Sequence, residues 1–352
     1  LENNPLSSPV GRDMSIYLPP DYYENESKRY PVIYFLHGYS GNNRGWTITS
    51  ETSKEQAIPL DLIPKKILKR IDLDRILYFE KLDELILNGH LRSFILVQPD
   101  GSLHVPSVDN RKDFRGNLVT KGSFYANSPH TGNYRDYIVK DVLGHVDKNF
   151  RTIPDRDHRT LMGGSMGGYG TLHIISFHPE CFSVAASLSP GNIGTLDLFK
   201  WKLRIPIYEE IFGSKINAEL GDSSWRDILY TYDLIFSKEQ PLIPSIKLDE
   251  NGEIVEFDEQ AYENWKKFDL IFLAERYREN LKKVDILLNC EKNDEFGLAR
   301  IVQAIHEKYE ALTIKHEFDL YSDPNAQLSP HMFGIGYNIL PAIKFCMNKL
   351  KH

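Results

Sequence analysis

The sequence is short of cysteine, of positive charge and of long apolar runs, and each shortage removes a class of protein. Its three cysteines, Cys181, Cys290 and Cys346, are odd in number and far apart. That argues against a disulfide framework or a closely spaced zinc site and leaves buried thiols as the expectation. The formal net charge of −7 offers no basic surface for a phosphate backbone, so nucleic acid is not an expected partner. No stretch of about 18 apolar residues is present, so no membrane span is expected. No charged-then-apolar leader opens the chain, but residue 1 is Leu and not Met. The expectation is a soluble protein, either cytoplasmic or secreted with its leader removed. A sequon, Asn25-Glu26-Ser27, matters only in a secretory pathway. Internal repeats and low-complexity tracts are also lacking.

What is there is enough apolar material for a sizeable core, 41% hydrophobic and 12% aromatic in 352 residues. Strand-length apolar runs recur at residues 31–36, 94–98, 159–163, 183–188, 284–289 and 315–320, most of them followed by Gly-, Asp- or Ser-rich corners. Helix-length stretches lie between them. Near-continuous apolar runs indicate strands covered on both faces, as in a parallel α/β sheet. Two stretches break the rhythm. Residues 53–91 interpose helical sequence such as Ile67-Leu68-Lys69-Arg70-Ile71 and Leu82-Asp83-Glu84-Leu85-Ile86-Leu87. Residues 195–280 are longer than a crossover needs and rich in aromatics, among them Trp201, Tyr208, Phe212, Trp225, Tyr230, Tyr232, Phe236, Tyr262 and Trp265. The expected organisation is a core made of residues 1–194 and 281–352, with 195–280 as an inserted cap. Within that cap, residues 248–255 suggest a small hairpin turning at Asn251-Gly252.

The segment Gly163-Gly164-Ser165-Met166-Gly167-Gly168 follows one of the apolar runs and precedes an apolar helix-like stretch, Tyr169 to Ile175. Small residues two before and two after a serine permit the sharp strand-to-helix turn that lifts its hydroxyl from a sheet. Such a corner also suits phosphate binding, but no lysine stands nearby. A serine hydroxyl is a weak nucleophile, so it needs a base, a carboxylate to orient the base, and donors for the oxyanion. In this arrangement the base is a histidine and comes last in the chain. His331 follows the last strand-like run and is expected on a loop; His306 and His316 lie inside helical and strand patterns. For the acid, Asp294 is preferred at a strand end, with Glu291 and Glu295 as rivals and Asp323 a weaker choice before Pro324. A strand-end aspartate is equally well explained as a helix cap. The oxyanion donors expected are the backbone N–H groups of Met166 and Tyr39, the latter on the loop His37-Gly38-Tyr39, which makes His37 structural.

These residues in this order resemble the esterase D branch of the α/β-hydrolase superfamily, which includes feruloyl esterases, S-formylglutathione hydrolases and mycolyltransferases. The resemblance rests on Tyr17-Leu18-Pro19-Pro20-Asp21-Tyr22, Leu36-His37-Gly38, Pro99-Asp100-Gly101, Asp136-Tyr137-Ile138, Asn149-Phe150-Arg151-Thr152, the Ser165 segment and Ser189-Pro190. It covers residues 12–194 well and 284–350 moderately, and departs from the family over 195–280. It implies an α/β-hydrolase fold of the eight-strand type and a triad of Ser165, Asp294 and His331. The implied activity is cleavage of a small-molecule carboxylic ester through an acyl-enzyme, with feruloyl, acetyl or another short acyl group. The resemblance implies no cofactor and no metal. The segments Gly122 to Pro129 and Thr131 to Tyr134 resemble part of feruloyl-type members, and with Trp46 they make Trp46, Phe124 and Tyr125 the substrate-lining candidates. Plain packing of Phe124, Tyr125 and Tyr134 against the sheet is the alternative. Acyl transfer, thioester hydrolysis, a binding protein that kept the fold, and a homo-oligomeric state all remain open at this level.

Overall fold

The computed structural model describes residues 10–47, 65–103, 121–192, 231–236, 246–248, 254–257 and 259–351. Among these, Met14–Tyr17 (β1), Val32–Leu36 (β2), Ile95–Pro99 (β3), Arg159–Gly164 (β4), Val184–Leu188 (β5), Asp285–Glu291 (β6) and His316–Tyr321 (β7) form one sheet, ordered β1-β3-β2-β4-β5-β6-β7. β1 is antiparallel to β3, and every other pairing is parallel. Each of the six apolar runs falls in one of these strands, offset by a residue or two at its ends. β1 was not anticipated, and seven strands, not eight, make up the sheet among the described residues.

The interior strands are mostly apolar because both of their faces are covered. Side chains alternate across a strand, and β2 divides accordingly. Val32, Tyr34 and Leu36 pack with Tyr169, Leu172 and Ile175 of the helix Met166–Phe177 (α1). Ile33 and Phe35 pack on the other face with Ile335, Ile339 and Ile343 of the C-terminal helix Pro330–Lys349 (α3). Between β6 and β7 runs Leu298–Ala311 (α2), whose buried Leu298, Ile301, Val302 and Ile305 face the first of these clusters. Along the first part of the edge strand β7 more and less buried positions alternate, the face of Phe318 and Leu320 packing on the core.

The interposed stretch contains the short helices Lys65–Leu68, Leu73–Ile76 and Leu82–Leu87 and the 3₁₀ turn Tyr78–Lys81. Residues 53–64 lie outside the described residues. In the expected cap region, residues 231–236 and Glu259–Lys266 are helical, as are Leu270–Arg276 and Arg278–Leu281. Trp201, Tyr208, Phe212, Trp225 and Tyr230 lie outside the described residues. Ile246–Leu248 pairs antiparallel with Ile254–Phe257, matching the expected hairpin, whose Asn251-Gly252 turn also lies outside them. Among the described residues, no helix is long and apolar enough to cross a membrane.

Candidate active site

β4 ends at Gly164 and α1 begins at Met166, so Ser165 alone makes the turn, with φ 59° and ψ −120°. A residue bearing a side chain adopts such a backbone at a cost of about 1–3 kcal/mol, which the surroundings must impose. They do so through the main chain. The Ser165 N–H donates to Leu188 O at 2.9 Å, and the Ser165 carbonyl accepts from Gly191 N–H at 3.1 Å and Tyr169 N–H at 3.0 Å. The flanking glycines are required by space. A Cβ on Gly163 would sit 2.2 Å from the Gly167 carbonyl oxygen, and one on Gly167 would sit 2.1 Å from that of Leu36.

His331 was expected on a loop and instead lies in the first turn of α3. Pro330, at the first helical position, explains the earlier start: it has no N–H to lose there and its φ is already helical. Ile335, one turn further along the same face, packs against the elbow. A Cβ on Gly164 would come 2.7 Å from Ile335 Cγ2, so α3 runs directly beside the serine turn. His331 Nδ1 and Asp294 Oδ2 are 2.6 Å apart, both residues being buried. Because the carboxylate accepts, Nδ1 carries the proton and Nε2 is left for proton exchange. Asp294 is itself fixed by the Phe296 N–H, which donates to Oδ1 at 3.0 Å. It does not cap α2, whose N-cap is Gly297.

Burial alone would lower the His331 pKa. Asp294, and after it Glu295, outweigh burial and hold it above its ordinary value. As a general base His331 would have to be neutral to accept a proton, so activity should then fall as pH drops through this raised pKa. The acid limb of kcat/KM is therefore expected to lie above the ordinary histidine value of about 6.5. A pH–rate profile with an uncharged ester measures it; an acid limb below that value would contradict this account of His331.

The loop after β2 lies against the elbow from the other side. A Cβ on Gly38 would be 3.5 Å from Ser165 Cβ, which brings the Tyr39 end of His37-Gly38-Tyr39 next to Ser165. His37 is structural in its bonding. Its Nε2 lies 2.8 Å from the Gly101 N–H, which can only donate, so the ring proton is on Nδ1 and goes to Gly38 O at 2.8 Å. Met166, following Ser165, is buried. The Tyr39 hydroxyl meets Thr231 Oγ1 at 3.0 Å, linking this loop to the 231–236 helix.

Trp46 donates its indole N–H to Leu36 O at 3.0 Å and lies against Gly38 and Gly164, on the rim of the elbow. Phe124 sits in an aromatic cluster, its ring 5.0 Å from Tyr232, 5.6 Å from Tyr169 and 6.0 Å from Tyr39. Tyr125 has no exposed surface, and its hydroxyl donates to His37 O at 3.1 Å.

The rival carboxylates occupy other positions. Glu291 accepts from the backbone N–H groups of Asn293 and Asp323, and Asp323 pairs with Arg75. Glu295 approaches the backbone of His331 and not its ring. His306 Nδ1 and His316 Nε2 share a hydrogen bond of 2.8 Å; His316 begins β7, at the opposite end of the strands from Asp294. With Glu310 these two histidines could hold a metal ion, as could His178, Glu180 and Cys181, but the hydrogen bond accounts for the first group and the second is a surface turn. Of the cysteines, Cys290 and Cys346 are buried and Cys181 is partly so. Sequence reasoning missed Cys290 as a neighbour of Asp294; its Sγ lies 3.8 Å from Asp294 Oδ2.

A serine on a strand-to-helix elbow, with an Asp–His pair supplied from beyond β6 and β7, stands on the mostly parallel sheet of an α/β-hydrolase fold. The chain belongs to the esterase family described as "Putative esterase", which it matches over residues 7–64 and 77–311. His331 lies beyond the matched residues. Over 181 residues, 51% of this chain, it is 27% identical to an endo-1,4-beta-xylanase/feruloyl esterase of Xylanibacter ruminicola, and the match spans 19% of that larger protein. Among solved structures it is similar to a ferulic acid esterase at a TM-score of 0.56 and 17% identity, covering 96% of this chain and 93% of the other. It is likewise similar to S-formylglutathione hydrolase from Staphylococcus aureus at a TM-score of 0.51 and 16% identity, with 96% and 93% covered. At these identities the two structures speak to the fold.

Proposed function

We propose that this chain hydrolyses small carboxylic esters of the feruloyl or short-acyl type through an acyl-enzyme on Ser165. The observation that carries the reading is the strained Ser165 turn, flanked on one side by the Gly38 loop and on the other by the helix that bears the Asp294-bound His331. His331 Nε2 takes the proton as Ser165 Oγ attacks the ester carbonyl, and the N–H groups of Tyr39 and Met166 stabilise the oxyanion. His331 then returns the proton to the leaving alcohol, and water repeats the sequence to release the acid. Asp294 holds the imidazole in the tautomer these steps require.

The name of the Xylanibacter relative supports a feruloyl-type acyl group. On this reading Trp46 lines the entrance, supported by its contact with Gly38 and Gly164, and Phe124 lines the acyl side together with Tyr232 and Phe236, whose rings it meets. Tyr125 then acts from behind, through the His37 carbonyl. The test is labelling by a fluorophosphonate, which reacts only with an activated serine. One equivalent on Ser165, with loss of p-nitrophenyl ester hydrolysis in proportion, is the expected result. Full hydrolysis without labelling would overturn the reading.

A further inference from the structure

The dipeptide that carries the catalytic acid also grips the backbone of the histidine. Glu295 Oε2 accepts the His331 N–H at 2.6 Å, and its Oε1 accepts the Ser329 hydroxyl at 2.6 Å. Ser329 is the N-cap residue of α3, yet its side chain makes no capping bond to its own helix. Because Pro330 has no N–H, that of His331 is the first in α3, and it points out of the helix with no intrahelical partner. A carboxylate from the β6–α2 loop satisfies it, where negative charge is also favoured by the helix dipole. Asp294, Glu295 and Phe296 thus hold one residue at three points. The first binds ring Nδ1, the second binds the backbone N–H, and the third sets its ring against the imidazole at a centroid distance of 4.7 Å.

We propose that Glu295 is a positioning residue for the general base: it fixes the first turn of α3, and so the reach of His331, relative to the loop that carries Asp294. The inference rests on the hydrolase reading above. Asp294 and the Phe296 ring act on the imidazole only, whereas the bond from Glu295 fixes the backbone that carries it. Glu295 also contributes charge. After Asp294 it is the other group that raises the His331 pKa; its own pKa is raised by burial, with His331 pulling it down, Asp294 pushing it up and the Ser329 hydroxyl favouring the charged form.

The test compares Glu295→Ala and Glu295→Gln with the native chain, all first titrated with a fluorophosphonate so that rates are expressed per active serine. Glu295→Gln can still accept the His331 N–H through its oxygen while donating to Ser329 Oγ, so it keeps the geometry and loses the charge. Glu295→Ala loses both. A misplacement of about 1 Å in a catalytic group can cost roughly 10²-fold. Glu295→Ala is therefore expected to lower kcat by about 10- to 100-fold at a nearly unchanged KM, and Glu295→Gln to recover most of that loss. Both variants should shift the acid limb of kcat/KM to lower pH, because a negative charge beside His331 is gone. If Glu295→Ala lowers only the thermal midpoint, with kcat per labelled serine and the acid limb unmoved, the role is structural and the proposal is wrong. A native chain that takes up no fluorophosphonate would instead overturn the hydrolase reading, and this inference with it.

Discussion

A Ser165→Ala variant is expected to hydrolyse p-nitrophenyl acetate roughly 10⁶-fold more slowly than the native chain, at an unchanged thermal midpoint. The rate effect follows from the absence of any second nucleophile in the scheme: without Oγ no acyl-enzyme forms, and what remains is orientation and the oxyanion donors acting on water. The stability expectation follows from how the turn is made. Ser165 is held by its N–H on Leu188 O and its carbonyl on Gly191 and Tyr169, and its hydroxyl caps nothing in α1. Alanine keeps the Cβ, the main-chain bonds and the same unfavourable φ, so neither the gain nor the cost of the turn changes. Turnover within about tenfold of native by a folded variant, on a scale where the serine is worth the figure above, would remove Ser165 from the mechanism.

The sequence made some parts of this molecule legible and hid others for identifiable reasons. Strands β2 to β6 were readable because a strand covered on both faces must be apolar at nearly every position. β1 was not. Met14–Tyr17 has four residues, each only partly buried, and its partner β3 lies about eighty positions away, so nothing local marks it. The turn at Ser165 was readable because close packing dictates residue type: Gly163 and Gly167 stand where any Cβ would meet backbone.

The choice among carboxylates was harder. Glu291, Asp294 and Glu295 sit within five positions, and which one meets the imidazole depends on the dihedral angles of the turn, not on composition. The outcome uses all three, Glu291 on the turn and β7-end amides, Asp294 on the ring, Glu295 on the helix start. Tyr125 shows the same limit. An aromatic residue in a motif can line a pocket or support the loop beneath it, and its type alone does not reveal a bond such as that from the Tyr125 hydroxyl to His37 O.

An Asp294→Asn variant is expected to lose about 10⁴-fold in kcat while remaining folded. The carboxylate serves two nitrogen donors at once, Oδ2 accepting from His331 Nδ1, with the Cys290 thiol beside it, and Oδ1 from the Phe296 N–H. An amide has one oxygen, so it cannot accept from both. The Phe296 N–H is backbone and cannot change character, whereas an imidazole can move its proton. The amide oxygen therefore goes to Phe296 and its NH₂ faces Nδ1, which must then become the acceptor. That tautomer carries the proton on Nε2, the nitrogen that has to accept one from Ser165, and the base is blocked although no atom has moved far. Fluorophosphonate labelling should slow in step with kcat, since both need the same proton transfer. If Asp294→Asn instead works within about tenfold of native, well short of the loss expected for a blocked base, the orienting acid is another carboxylate. Glu295, next in the chain and already bonded to the His331 backbone, would be the first to test.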